Sequence, residues 1–187
     1  MRFSMAILAV MVLSSLVSAA EPDGKHVPLV FSGGHDTDPR DHGRPVILVA
    51  SALKVTADEF RDAFSHVKPA PAGEKPQEEQ VRKNKDALMK ALGPKGVTND
   101  RLDEVSNFYR YRPGKGNLWK NTPAEGYAIV KDGKVVGFKV TNAGAGYSTA
   151  PTVTIEGMDT PLVAEVHFDT DLAKNGSIAS VAEKPAK

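Results

Sequence analysis

Five side chains able to ligate a cation or carry a proton fall within eight positions: His35, Asp36, Asp38, Asp41 and His42, in His35-Asp-Thr-Asp-Pro-Arg-Asp-His42. Two imidazoles and three carboxylates so close in sequence could close on a divalent metal. Zinc would take both histidines and one aspartate; calcium would take the carboxylates and loop carbonyls. The spacing Asp36-x-Asp38-x-x-Asp41 is not that of an EF-hand loop, which needs Gly at its sixth position and Glu at its twelfth. The competing use is structural. The aspartates would cap turns and the following helix, with Arg40 and Arg44 as partners.

A second constellation is Asp100, Asp103, Glu104 and Asn107, which share one face if the segment is helical. Paired carboxylates on that face could serve hydrolysis or add metal ligands; the alternative is a solvated face paired to neighbouring arginines. A third is Tyr109-Arg-Tyr-Arg112 with the lone Trp119. Tyr109, Tyr111 and Trp119 could stack on a sugar or hold an anionic polymer, or seal the joint between two layers. Nucleophilic catalysis finds little support. Ser32-Gly-Gly-His35 is not the Gly-x-Ser-x-Gly elbow, and His66 and His167 stand alone.

These groups need elements to position them. Val27-Pro-Leu-Val-Phe31 reads as an edge strand or extended arm, because Pro28 cannot donate to a ladder. Ser32 to Arg44 is a loop by every local signal. Pro45 suits a helix start, and the almost wholly apolar Val46–Leu53 reads as a buried helix, with a buried strand as the alternative. Thr56-Ala-Asp-Glu59 matches a capping box opening a second helix, with Phe60, Phe64 and Val67 on one face. Lys68–Pro76 is Pro-rich and reads as a linker. Gln77–Leu92 carries the stripe Val81, Leu88, Met89 and Leu92 before the stop Gly93-Pro94. A fourth helix, capped by Thr98 or Asn99, runs to near Arg112, where Pro113-Gly-Lys-Gly116 ends it. Leu102, Val105, Phe108 and Tyr109 form its inward face.

The period changes after Thr122. Tyr127–Val130 and Val135–Val140 flank Asp132-Gly133, a strong hairpin signal. Pro151–Ile155, Pro161–Phe168 and Gly176–Val181 read as three further strands. An internal echo links the first hairpin to the last two strands, each an alternating strand, a turn ending in Gly and a second alternating strand. The tail from Ala182 reads as frayed.

Val140-Thr-Asn-Ala-Gly-Ala-Gly-Tyr-Ser-Thr-Ala-Pro-Thr-Val-Thr-Ile-Glu-Gly157 resembles a Gly-x-Gly-Tyr…Pro-Thr-Val β repeat of bacterial and phage surface proteins. The resemblance implies a small β module with no catalytic role of its own. Read directly, Gly144 and Gly146 can take positive φ and carry the chain through a corner. Tyr147 can cover the sheet end and hydrogen-bond a loop carbonyl. No helix follows these glycines and no Lys-Ser/Thr closes them, so they are not a phosphate cradle. Gly34–Asp41 and Gly96–Asn107 are similar to segments of uncharacterised exported bacterial proteins, and no activity comes with that similarity.

Met1-Arg-Phe-Ser-Met, an uncharged run Ala6–Leu13 and small residues to Ala20 describe a secretory signal peptide, cleaved after Ala19 or Ala20. Its apolar core is shorter than the ~20 residues of a spanning helix. Beyond it, 23 basic residues balance 23 acidic ones, which gives no long-range field for nucleic acid. There is no cysteine, so disulfides and thiolate metal sites are excluded.

The expectation is an exported, periplasmic or extracellular bacterial protein of the α+β class. A signal peptide spans 1–20, and a helical domain of about four helices with an N-terminal loop spans 21–118. A small antiparallel β-meander of about five strands spans 119–187. The expected function is non-enzymatic binding or structure, with a glycan or cell-envelope protein as partner and no nucleic acid. The alternative is a metal-binding protein or metal-dependent hydrolase using His35, Asp36, Asp38, Asp41 and His42 on zinc or calcium.

Overall fold

The structure, a computed structural model, describes residues 22–68, 77–111 and 117–185. The expected signal peptide, most of the Lys68–Pro76 linker and the Pro113–Gly116 break lie outside the described residues. The chain is α+β, with four helices followed by antiparallel strands, and one further strand leads it. In order these are β1 (Lys25–Ser32), α1 (Val46–Ala52), α2 (Ala57–Ser65), α3 (Glu78–Leu92), α4 (Asn99–Phe108), β2 (Glu125–Lys131), β3 (Lys134–Asn142), β4 (Thr152–Ile155), β5 (Leu162–His167) and β6 (Ser177–Glu183). Among the described residues no helix is long and apolar enough to cross a membrane.

Helices α2 and α4 start where a threonine side chain satisfies a free backbone donor. At α2, the Thr56 hydroxyl accepts from the Glu59 N–H at 3.2 Å while the Glu59 carboxylate accepts from the Thr56 N–H at 2.8 Å, which completes the capping box. Thr98, not Asn99, caps α4. That helix ends at Phe108 and is capped by Tyr109, short of the expected stop near Arg112. Helix α1 is apolar on most sides because α2, α4 and the Asn175–Gly176 turn pack against it, and Leu48, Ala50 and Ala52 join a buried cluster with Phe60, Leu92 and Val105. Val81 is 49 % exposed and does not belong to the inward stripe of α3. It lies in the first turn, while the stripe reaches the core only towards Leu92.

The strands form a four-stranded sheet in the order β3-β2-β1-β4 and a two-stranded sheet β5-β6. Asp132 and Gly133 both take positive φ, 50° and 74°, the requirement of a two-residue type I′ turn. The internal echo is real as architecture. Both hairpins, β2-β3 and β5-β6, carry a register shift that leaves one residue of the second strand extra, Val136 opposite Ile129 and Val130 and Ala179 opposite Glu165 and Val166. Strand β1 is not at an edge. Lys25–Pro28 pair with β2 and Leu29–Ser32 pair with β4. At Pro28 the chain changes neighbours and has a ladder partner on one side only, so a residue without an N–H is tolerated there. The tail is more ordered than expected, since Ala182 and Glu183 pair with Val163 and Leu162.

Two apolar clusters result. One gathers the helices and takes in Trp119, Phe168 and Leu172; the other fills the space between the sheets, around Leu29, Ala128, Val153, Ile155 and Ile178. Their seam is built mainly from the chain corner Ala143–Thr149.

Candidate functional site

The corner is tied on both sides. Gly144 and Gly146 take the expected positive φ, 63° and 87°. The Ala145 N–H and carbonyl exchange 2.9 Å bonds with Thr122, and the Ala143 carbonyl accepts from the Ile178 N–H at 2.8 Å. Gly146 and Tyr147 donate to the carbonyls of Asn175 and Gly176 at 2.9 and 3.0 Å. Ser148 and Thr149 both donate to the Gly34 carbonyl, at 2.9 and 3.2 Å. The corner therefore grips the loop that sequence had singled out for chemistry. Gly34 is required at that grip: its φ is +80°, and a Cβ there would sit 2.6 Å from the Tyr147 ring.

From this anchor the loop Gly33–Arg44 lines a cleft. The Asp36 carbonyl accepts from the Ser148 hydroxyl at 2.6 Å, and the Asp36 carboxylate meets the Thr149 hydroxyl at 3.4 Å. Asp38 caps a short 3-10 turn, Pro39–Asp41, accepting from the Arg40 N–H at 2.9 Å. It also takes the Arg40 guanidinium at 2.7 Å, and that hydrogen bond holds its carboxyl well below the usual range. Asp41, only 4 % exposed, accepts two bonds from Arg61 of α2, at 2.8 and 2.9 Å. Asp58 takes a third Arg61 donor at 2.8 Å. Arg44 donates to the Asp41 carbonyl at 3.1 Å and stacks over Phe64 with its guanidinium carbon 4.5 Å from the ring centre. The loop aspartates, Arg44 and Arg61, with Thr37, Pro45–Ile47 and the Ser148–Thr149 corner, line an open cleft of about 180 Å³.

The two histidines of the loop part company. His42 is exposed and closes the 3-10 turn in the left-handed region, φ 50°. His35 turns inward, stacked on Tyr147 at 5.3 Å and edge-on to Trp119 at 5.9 Å. Its Nε2 is buried with no hydrogen-bond partner among the described residues. Burial pushes its pKa down, against a hydrogen bond to the Gly33 backbone and the nearby Asp36 charge. Among the described residues no three His, Asp or Glu side chains are grouped to hold a metal ion. Asp38 and Asp41 face arginines.

The acidic face of α4 is solvated, with Asp103 paired to Lys85 and Glu104 to Arg101, each at 2.6 Å. Tyr109, Tyr111 and Trp119 lie in the seam. Trp119 is 2 % exposed and donates its indole N–H to the Gly146 carbonyl at 2.8 Å. Tyr111 packs edge-on to Trp119 and donates its hydroxyl to the Gly43 carbonyl. The Tyr109 hydroxyl accepts from Asn175 at 2.8 Å, and burial pushes its pKa up to about 12. Tyr147 covers the sheet end as expected, but its hydroxyl accepts from the Ala124 N–H at 2.9 Å where a bond to a carbonyl was expected.

Sequence reading passed over Asn175 except as a turn residue. It is fully buried and satisfied on both ends, donating to the Leu48 carbonyl at 2.7 Å and to Tyr109, and accepting from the Asp169 N–H at 3.1 Å. Arg61 was missed as well. It sits on the polar side of an amphipathic helix, and nothing local distinguishes it from a solvated arginine.

Fold and site together define an α+β protein with a small charged cleft between its helical and β halves. No protein-family model, curated protein or solved structure matches the chain.

Proposed function

We propose that this is an exported, non-enzymatic binding protein of the bacterial cell envelope, and that it binds its ligand in the cleft between the Gly33–Arg44 loop and the Ser148–Thr149 corner. The observation that supports this reading is the convergence on one cavity of charged and hydroxyl groups from separate segments: Asp36, Arg44, Arg61 and Thr149. Arg61 and the buried Asp41 form a partly buried bidentate pair that sets the cleft wall, and such pairs hold geometry more than they add stability. Asp38 and Asp41 are paired to Arg40 and Arg61, while Asp36 and Arg44 face the cleft without a salt-bridge partner among the described residues. The resemblance of Val140–Gly157 to a surface-protein repeat and the leader-like sequence Met1–Ala20 support an exported location.

The test is thermal-shift screening of the purified protein against sugars, amino acids, organic acids, nucleosides, zinc and calcium. A saturable rise in Tm with a small organic molecule is the expected result. Zinc or calcium could be held by Asp38 and Asp41 only by displacing Arg40 and Arg61. Saturable stabilisation by either ion, lost in Asp41→Asn, would move the reading to a metal-binding protein. Expression with the native leader in a bacterial host should yield a mature N-terminus at Ala20 or Glu21.

A further inference from the structure

The ionic pairs in the cleft leave two groups over. Arg61 is clasped by Asp41 and Asp58, with Asp38 at 3.6 Å, and Asp38 is held by Arg40. Arg44 has one N–H on the Asp41 carbonyl and its face on Phe64, and no carboxylate partner among the described residues. Its remaining donors form a planar fork suited to a carboxylate. Asp36 has one carboxylate oxygen at 3.4 Å from the Thr149 hydroxyl and its other oxygen without a partner among the described residues. No arginine or lysine is paired with it there. One guanidinium and one carboxylate, both lining the same cavity and neither neutralised by the other or by a neighbour, complement a ligand with one negative and one positive end.

Size narrows the class. The cavity, about 180 Å³, is slightly larger than the ~150 Å³ that accommodates benzene, so it suits about six to eight heavy atoms. Pro45, Val46 and Ile47 give one side of it an apolar wall, and Thr37 and Thr149 make the other polar, so it has room and contact for a short side chain beside the two charged groups. Resting on the binding reading above, we infer that the cleft takes a free small α-amino acid, its carboxylate on Arg44 and its ammonium on Asp36. Each contact is a charge-assisted hydrogen bond, so losing either end of the ligand removes a large share of the binding.

Calorimetric titration tests this with alanine and serine as probes, against propionate and ethylamine, which each keep one charged end. The expected result is saturable binding of an amino acid and at least about tenfold weaker binding of both analogues. Asp36→Asn, at an exposed position, should weaken the amino acid by a similar factor while leaving propionate unchanged. Arg44→Lys keeps the charge and loses the fork, and should weaken alanine while leaving ethylamine unchanged. Equal binding of alanine and either analogue would overturn the assignment, whether or not the variants fold. If no amino acid binds but the wider screen yields a ligand whose binding is weakened by Arg44→Lys or Asp36→Asn, the amino acid is wrong and the binding reading stands. If neither binds, both fall.

Discussion

At the scale of single residues, the seam holds one group that is well matched and one that is not. Asn175 makes all its bonds inside the protein. Asn175→Ala would orphan the Leu48 carbonyl, the Tyr109 hydroxyl and the Asp169 N–H, and should lower stability by about 3 kcal/mol in urea unfolding. A fall under about 1 kcal/mol would mean that water replaces the amide without loss. His35 is the mismatched group, with a buried Nε2 that lacks a partner and a pKa held down by burial. The unfolded chain therefore takes up its proton first, below pH about 6.5. Native stability must decrease as pH drops through that value and level off once the folded histidine also titrates. His35→Phe keeps a ring on Tyr147 and removes the titration. Its Tm should decline less than that of the wild type between pH 7 and pH 5, and parallel profiles would show that His35 does not carry the slope.

At the scale of elements, local rules placed most boundaries and two details deserve measurement. Helix α1 closes with Lys54 in the left-handed region, φ 61°, while the Val55 N–H reaches back to the Ala50 carbonyl at 3.0 Å. Glycine is the usual residue at such a cap. Lys54→Gly should raise stability by about 1 kcal/mol by relieving that conformation, read as a shift in urea midpoint at constant slope. Thr56→Ala removes half of the capping box and should cost about 1 kcal/mol. Both effects belong to the helical half. If Lys54→Gly destabilises instead, the lysine side chain makes a contribution that outweighs its backbone strain.

At the scale of the whole molecule, the halves have separate apolar clusters and a shared seam. The chain passes from β1 to the helices and back to β2, so the strand that completes the sheet precedes the helical half. Trp119, Tyr147, Asn175 and His35 meet at the seam from distant parts of the sequence. Neither half can therefore unfold without breaking contacts of the other, and thermal unfolding should be a single transition. The lone tryptophan lies at the seam, so its fluorescence and the far-ultraviolet circular dichroism should report the same Tm. Fluorescence changing several degrees earlier would show the halves separating before they melt.

Much of this could be read from sequence because it is local. The helix over Val46–Ala52, the Thr56 box, the Asp132-Gly133 hairpin and the positive-φ corner at Gly144 and Gly146 each follow from a few neighbouring residues and the backbone angles they allow. Partners far along the chain could not be read in this way. Pro28 argued for an edge, yet β1 is central because its two halves pair with different strands, a fact of register. The His35–His42 stretch looked like one cluster because its residues are adjacent. Tertiary packing divides it, sending His35 into the aromatic seam and Asp41 onto Arg61, twenty positions away. The motif Gly144–Tyr147 was legible as a corner; that the corner holds Gly34, Trp119 and Asn175 together, and with them the cleft, depends on contacts that only the folded chain brings within bonding distance.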